Sequence, residues 1–184
     1  MIRLITDTPG FFNDIGEVIR LFLGEVVIRP DEGDMVYRHT HRQEADEWVE
    51  CFQLNDGEIV EHRSPVVRGE LLEKRMLKRA VKTCCFLLMV KQTGVYPPWG
   101  SLTGIRPTRL MYELTDSGLS IPEAAKRLQE TFYVSPEKAG LLSTVCNYIG
   151  EEKIPATHTT PDALSIQELL RRMVDAGCRY CFME

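Results

Sequence analysis

A helix bounded by Gly69 and Gly94 constrains this chain more than any other feature. Leu72, Met76, Ala80, Cys84 and Leu88 recur at helical spacing, and the second half of the segment is apolar on nearly every side. Such a helix needs cover from several directions, so the rest of the chain has to supply a sheet or further helices around it. Its longest wholly apolar run, Cys84 to Val90, falls well short of the roughly 18 residues that cross a bilayer, and Lys82 and Lys91 bracket it. No membrane partner is expected. The first residues, Met-Ile-Arg-Leu-Ile-Thr-Asp, carry no basic stretch leading into a long apolar core, so no signal peptide is expected and the cytoplasm is the expected location.

The first 67 residues read as the sheet that this helix needs. Residues 2–6 are a short apolar strand, and Asp7-Thr8-Pro9 supplies a cap and a first-turn proline for a helix. Phe11, Phe12, Ile15, Val18, Ile19 and Phe22 form its apolar stripe, and Gly24 ends it. Strands follow at 26–28 and 35–41. Two more, at 48–54 and 59–62, flank Asp56-Gly57, a pair suited to a type I′ hairpin turn because glycine tolerates positive φ. The expected architecture is α+β: a mainly antiparallel sheet with a packed helix over 1–67, a helical region over 68–150, and a helix–strand tail over 151–184. Within the helical region, helices are expected from Pro107 to Leu114, at about 122–131 and at 135–148, with strand and loop left open as the alternative over 138–150. Residues 151–161 carry two prolines and three threonines and read as a linker. A helix beginning at Thr160-Pro161-Asp162 then carries Leu164, Leu169, Leu170, Met173 and Val174 on one side, before a strand at 178–183.

Six cysteines in a cytoplasmic chain need not be bridged, and free thiols are expected. Cys178-x-x-Cys181 is a lone pair with no second pair to complete a metal site. His39 and His41 share one face of a strand and with His62 could approach a metal. No further ligand is placed, and the bland reading is preferred.

Charge is distributed unevenly. The formal net charge of −5 argues against a protein that coats nucleic acid with its whole surface. Yet between Arg68 and Arg109 nine Lys/Arg face two acids, a local excess of +7. Lys74, Arg75, Lys78, Arg79 and Lys82 make one positive stripe on the long helix. It could bind phosphate, nucleic acid or an acidic substrate, or it could simply be a solvated face. The segment after it, Trp99 to Arg109, combines glycines with an indole and with Arg106 and Arg109, whose planar forks suit carboxylate or phosphate. Alternatively it is a helix connector with Trp99 in the core.

Trp99-Gly-Ser-Leu-Thr-Gly-Ile-Arg-Pro-Thr-Arg-Leu110 resembles the signature of the HemZ-type oxygen-independent coproporphyrinogen dehydrogenases, and the likeness extends over residues 1 to about 140. The resemblance implies an accessory region of haem and porphyrin biosynthesis, binding an acidic tetrapyrrole through Trp99, Lys78, Arg79, Lys82, Arg106 and Arg109. Its partner would be a radical-SAM barrel that carries the 4Fe–4S cluster and S-adenosylmethionine. The C-x-x-x-C-x-x-C motif that holds such a cluster does not occur here, so no catalytic residue is assigned. Further on, Gly140-Leu-Leu-Ser-Thr-Val-Cys-Asn-Tyr-Ile149, Ile154-Pro-Ala-Thr-His-Thr-Thr-Pro-Asp162, Asp175-Ala-Gly177 and Met183-Glu184 resemble a Mur ligase of peptidoglycan synthesis that adds the third residue. That resemblance implies contacts of Thr159 and Thr160 with a UDP-sugar substrate, and of Glu184 with magnesium. ATP is implied too, although the G-x-x-G-K-[ST] phosphate loop is not in the sequence.

Overall fold

A computed structural model describes residues 1–103, 107–135, 139–142, 146–150, 152–156 and 162–183. They fall into two units, Met1–Val134 and Ser135–Glu184.

The first unit begins with β1 (Ile2–Thr6), a 3₁₀ turn at Pro9–Phe11 and α1 (Phe12–Leu23). The strands β2 (Ile28–Arg29), β3 (Met35–Glu44), β4 (Glu47–Leu54) and β5 (Val60–Pro65) follow. The sheet order is β2-β1-β3-β4-β5. β3, β4 and β5 pair antiparallel, as expected, while β1 is parallel to both β2 and β3 because α1 carries the chain back before they start. The α+β class holds, with a sheet that is mixed. The hairpin around Asp56-Gly57 also forms, but with a different turn. Asn55, not Gly57, takes the left-handed conformation at φ 49°. Asn55 can do so because β3 holds it twice: its N–H donates to Val36 O (2.7 Å) and its Oδ1 accepts from Val36 N–H (2.9 Å).

The long helix is α2 (Glu70–Thr93), stopped by Gly94 in the left-handed region with its N–H on Val90 O. Val81, Cys84, Cys85, Phe86, Leu88 and Met89 pack with Ile15, Val18 and Ile19 of α1, and with Ile2, Leu4, Tyr37 and Phe52 of the sheet. Phe86 is wholly buried among the rings of Phe22, Tyr96 and Tyr133, with centroids 5.7, 5.9 and 6.1 Å away. Each such fully buried side chain contributes roughly 1.5–3 kcal/mol relative to exposure. Two shorter helices complete the unit, α3 (Pro107–Asp116) and α4 (Ile121–Phe132), the latter opened by the Ser120/Glu123 capping box. Leu102, Leu110, Leu128 and Phe132 form their core, with Trp99 packed against it.

The second unit contains β6 (Ala139–Leu142), β7 (Cys146–Ile149), β8 (Glu152–Pro155), α5 (Ala163–Asp175) and β9 (Tyr180–Met183). The helix expected over 135–148 is corrected: its described residues 139–142 and 146–149 are strands. β6 pairs with β7 and β9, and β7 with β8, so long-range pairing overrides a local helical preference. The linker expected over 151–161 is corrected in part, since 152–155 is a paired strand. On α5 the buried face is Met173 with Ile166, Leu169 and Leu170, whereas Leu164 and Val174, expected on that side, are 82% and 72% exposed.

Candidate functional site

α2 carries its cations along one side, but its tertiary partners separate them. Lys82 is buried, with Nζ donating to Thr103 O (2.9 Å) and Glu17 Oε2 (3.3 Å). Lys78 Nζ lies 2.6 Å from Asp14 Oδ1. Both lysines therefore fasten α2 to α1, and the expectation of one continuous exposed stripe is corrected: Lys82 is buried, so its ammonium has to be paired, and the half-exposed Lys78 is held by Asp14. Arg79 is different. Its guanidinium carbon lies 5.6 Å from the centroid of the Phe132 ring, and Nη1 reaches Met76 Sδ at 3.7 Å. Burial lowers its pKa from the ordinary value, and the charges of Arg75 and Arg109 push the same way against Glu113. Its Nε is buried and has no partner among the described residues.

Arg79, Lys82, Thr83, Ser101 and Phe132 line a cavity of about 10 Å³. Ser101 is held there by Thr83 Oγ1 (3.2 Å) and Phe132 O (3.2 Å), and Thr103 Oγ1 nearby in the chain is buried without a partner among the described residues. Arg109 is exposed and bonds Glu113 Oε1 at 3.0 Å. Trp99 is half-buried against the α3–α4 core. Arg106 lies outside the described residues, as do Thr159, Thr160 and Glu184.

The sequence reading missed a second cluster. His39 and His41 do share a strand face, and Glu50 on β4 bonds to both. Glu50 Oε2 is 2.9 Å from His39 Nε2, and its Oε1 is 2.8 Å from His41 Nδ1. As a carboxylate Glu50 only accepts, so each of those ring nitrogens donates. The Thr6 hydroxyl accepts the Thr8 N–H (3.0 Å), leaving its own proton for His39 Nδ1 at 2.8 Å. His62 stands directly across from Glu50 on β5, where burial lowers its pKa from the ordinary value. Cross-strand register could have revealed Glu50, because His41, Glu50 and His62 are paired neighbours. No group of three His, Cys, Asp or Glu suited to a metal occurs among the described residues. Cys51, Cys84, Cys85 and Cys178 are free thiols, and burial raises the pKa of Cys84 and Cys85 well above the ordinary range. These described cysteines do not fit an iron–sulfur cluster.

The second unit presents one structured edge. β6, β8 and β9 all run the same way, since β7 is antiparallel to β6 and β8, and β9 is parallel to β6. Leu142 and Met183, the last residues of β6 and β9, are register partners. The chain leaves β8 at this edge, and α5 must return it to the other. The α5 N-terminus therefore stands at the same edge, capped by Asp162, whose Oδ1 accepts from Leu164 and Ser165 N–H at 2.9 and 3.0 Å. These bonds hold the Asp162 carboxyl below its usual range. Crevices outside the carboxyl ends of parallel strands are where α/β sheets bind ligands.

The first unit is thus an α+β sheet-and-helix layer, and the second a small sheet with a parallel crossover. Curated relatives carry the name UDP-N-acetylmuramoyl-L-alanyl-D-glutamate–2,6-diaminopimelate ligase. The chain is 57% identical to that of Parabacteroides distasonis over 60 residues, covering 33% of this chain and 12% of the relative. It is 64% identical to that of Phocaeicola vulgatus over 47 residues (26% and 10%) and 51% identical to that of Clostridium perfringens over 45 residues (24% and 9%). The chain therefore spans only about a tenth of the length of these relatives. No family model and no solved structure matches. The Mur-ligase resemblance is supported over about a third of the chain. The porphyrin, haem and radical-SAM assignment is overturned, because the relatives' names point to peptidoglycan synthesis. Among the described residues no helix is long and apolar enough to cross a membrane.

Proposed function

We propose that the second unit is a substrate-holding segment of Mur-ligase type, directed at a UDP-N-acetylmuramoyl-peptide. The observation that carries this reading is the identity of 57% over 60 residues to a ligase of that name. The edge geometry supports it. The carboxyl ends of β6, β8 and β9 and the N-terminus of α5 stand together, and Pro155 and Asp162 at that edge flank Thr159 and Thr160 in sequence. Magnesium is a different matter: Glu184 would be its ligand by resemblance, but the described residues offer no fitting group. Nor does the sequence contain a phosphate loop for ATP. The proposal is therefore limited to substrate holding, with no step of phosphoryl transfer.

The test is an NMR titration of the ¹⁵N-labelled chain with UDP-N-acetylmuramoyl-L-alanyl-D-glutamate, with UDP alone as a second arm. Saturable shifts should centre on the edge residues of the second unit. The Thr159→Ala/Thr160→Ala double variant should bind about ten-fold more weakly, equivalent to about 1.4 kcal/mol. Absence of saturation at millimolar ligand, or an unchanged double variant, would refute the reading.

A further inference from the structure

We propose that the cavity between α2, Ser101 and Phe132 is an oxyanion site, where Arg79 receives one oxygen of a phosphate ester or carboxylate. This site belongs to the first unit and does not rest on the ligase reading.

Arg79 lacks the pairing that the other half-buried or buried cations of α2 possess. Lys78 meets Asp14, and Lys82 meets Glu17 and Thr103 O. Among the described residues Arg79 has no carboxylate within ion-pair distance, and its buried Nε–H has no acceptor. A buried donor left open is costly enough that a native site either fills it or uses it. The remaining lining is Thr83 and Ser101, whose hydroxyl protons go to Ser101 Oγ and Phe132 O, with the Lys82 side chain and the apolar Phe132.

Size and charge define the ligand. A cavity of about 10 Å³ accepts a single oxygen and no more. A neutral hydroxyl or a water could fit that volume, but the surrounding field favours an anion. Arg75 and Arg109 act on Arg79 as like charges, against the opposite charge of Glu113. An oxyanion with one oxygen on Nε and the rest outside would relieve that repulsion, and the guanidinium fork can present two parallel N–H groups to it.

The segment is also rigid enough to preserve the site. Gly100 has φ +56°, and a Cβ there would lie 2.0 Å from Phe132 O, so the segment is clamped to the end of α4. Ser101 N–H adds a bond to Phe132 O at 2.8 Å. The hydroxyls facing Arg79 are therefore held before any ligand arrives.

The experiment follows the Arg79 Nε–H signal of the full chain by ¹⁵N NMR at constant ionic strength. Inorganic phosphate, acetate and chloride are titrated separately. Saturation by phosphate but not acetate assigns a phosphate ester, the converse assigns a carboxylate, and either outcome supports the site. Arg79→Lys should weaken binding at least ten-fold. The three anion titrations are read on the unsubstituted chain, so an Arg79 variant that fails to fold leaves the test decisive. Lys126→Gln, on the exposed face of α4, should leave binding unchanged. A signal that none of the anions moves identifies a cavity water only and overturns the proposal. An equal response to chloride is ionic screening and overturns it as well.

Discussion

Replacing Glu50 by Ala should destabilise the first unit by about 3–5 kcal/mol, a large part of the roughly 5–15 kcal/mol typical of a domain. The magnitude follows from what the carboxylate does. Its two oxygens accept from His39 Nε2 and His41 Nδ1 at 2.9 and 2.8 Å, and both Glu50 and His39 are wholly buried. Removing it leaves a buried imidazole donor with nothing to bond, and a cavity beside Phe52, whose ring stacks on His39 at 4.5 Å. Glu50→Gln keeps the volume and one acceptor, so its cost should be smaller, about 1–3 kcal/mol. Urea unfolding followed by tryptophan fluorescence reads this directly. Both tryptophans, Trp48 and Trp99, lie in the first unit, and Trp48 is buried on the same strand as Glu50. With a slope of about 1–3 kcal/mol/M, the midpoint should fall by about 2 M for Glu50→Ala. A fall under about 0.5 M, roughly 1 kcal/mol at that slope, would show that the cluster is not a buried, mutually dependent network.

Two further outcomes test the fold. Gly100→Ala should lower the melting temperature and loosen Trp99, because the new Cβ would meet the backbone of Phe132 and Tyr133 at 2.0–2.4 Å; an unchanged melting temperature would contradict the clamp. Burial raises the Tyr37 hydroxyl to about 12 from an ordinary 10. The folded state therefore keeps this proton where the unfolded chain releases it, and stability should decline as pH rises from 10 towards 12, by up to about 3 kcal/mol. Buried Cys84 and Cys85 act in the same direction, so the measurement is the difference between the parent and Tyr37→Phe, which should lose the Tyr37 share of this decline.

Local sequence determined the regular elements of the first unit. The α2 segment carries its own start and stop, Gly69 and Gly94, and an apolar second half that forces burial. The α1 stripe and the β4–β5 hairpin likewise follow from spacing and from turn residues close in sequence. The amphipathic α5 and the strand at 180–183 were legible for the same reason. Residues 139–149 were not, because their strands exist through pairing with β8 and β9, and no local pattern encodes a partner that distant. The same reason explains the site. His39 and His41 were visible as a pair, but only the β3–β4 register brings Glu50 between them, eleven residues beyond His39. The basic stripe on α2 was legible as charge alone. Tertiary contact decided that Asp14 and Glu17 neutralise two of its lysines, while Arg79, turned onto Phe132, keeps a buried N–H without a protein partner among the described residues. Period and propensity act over a few residues, whereas burial and pairing depend on which distant segments meet.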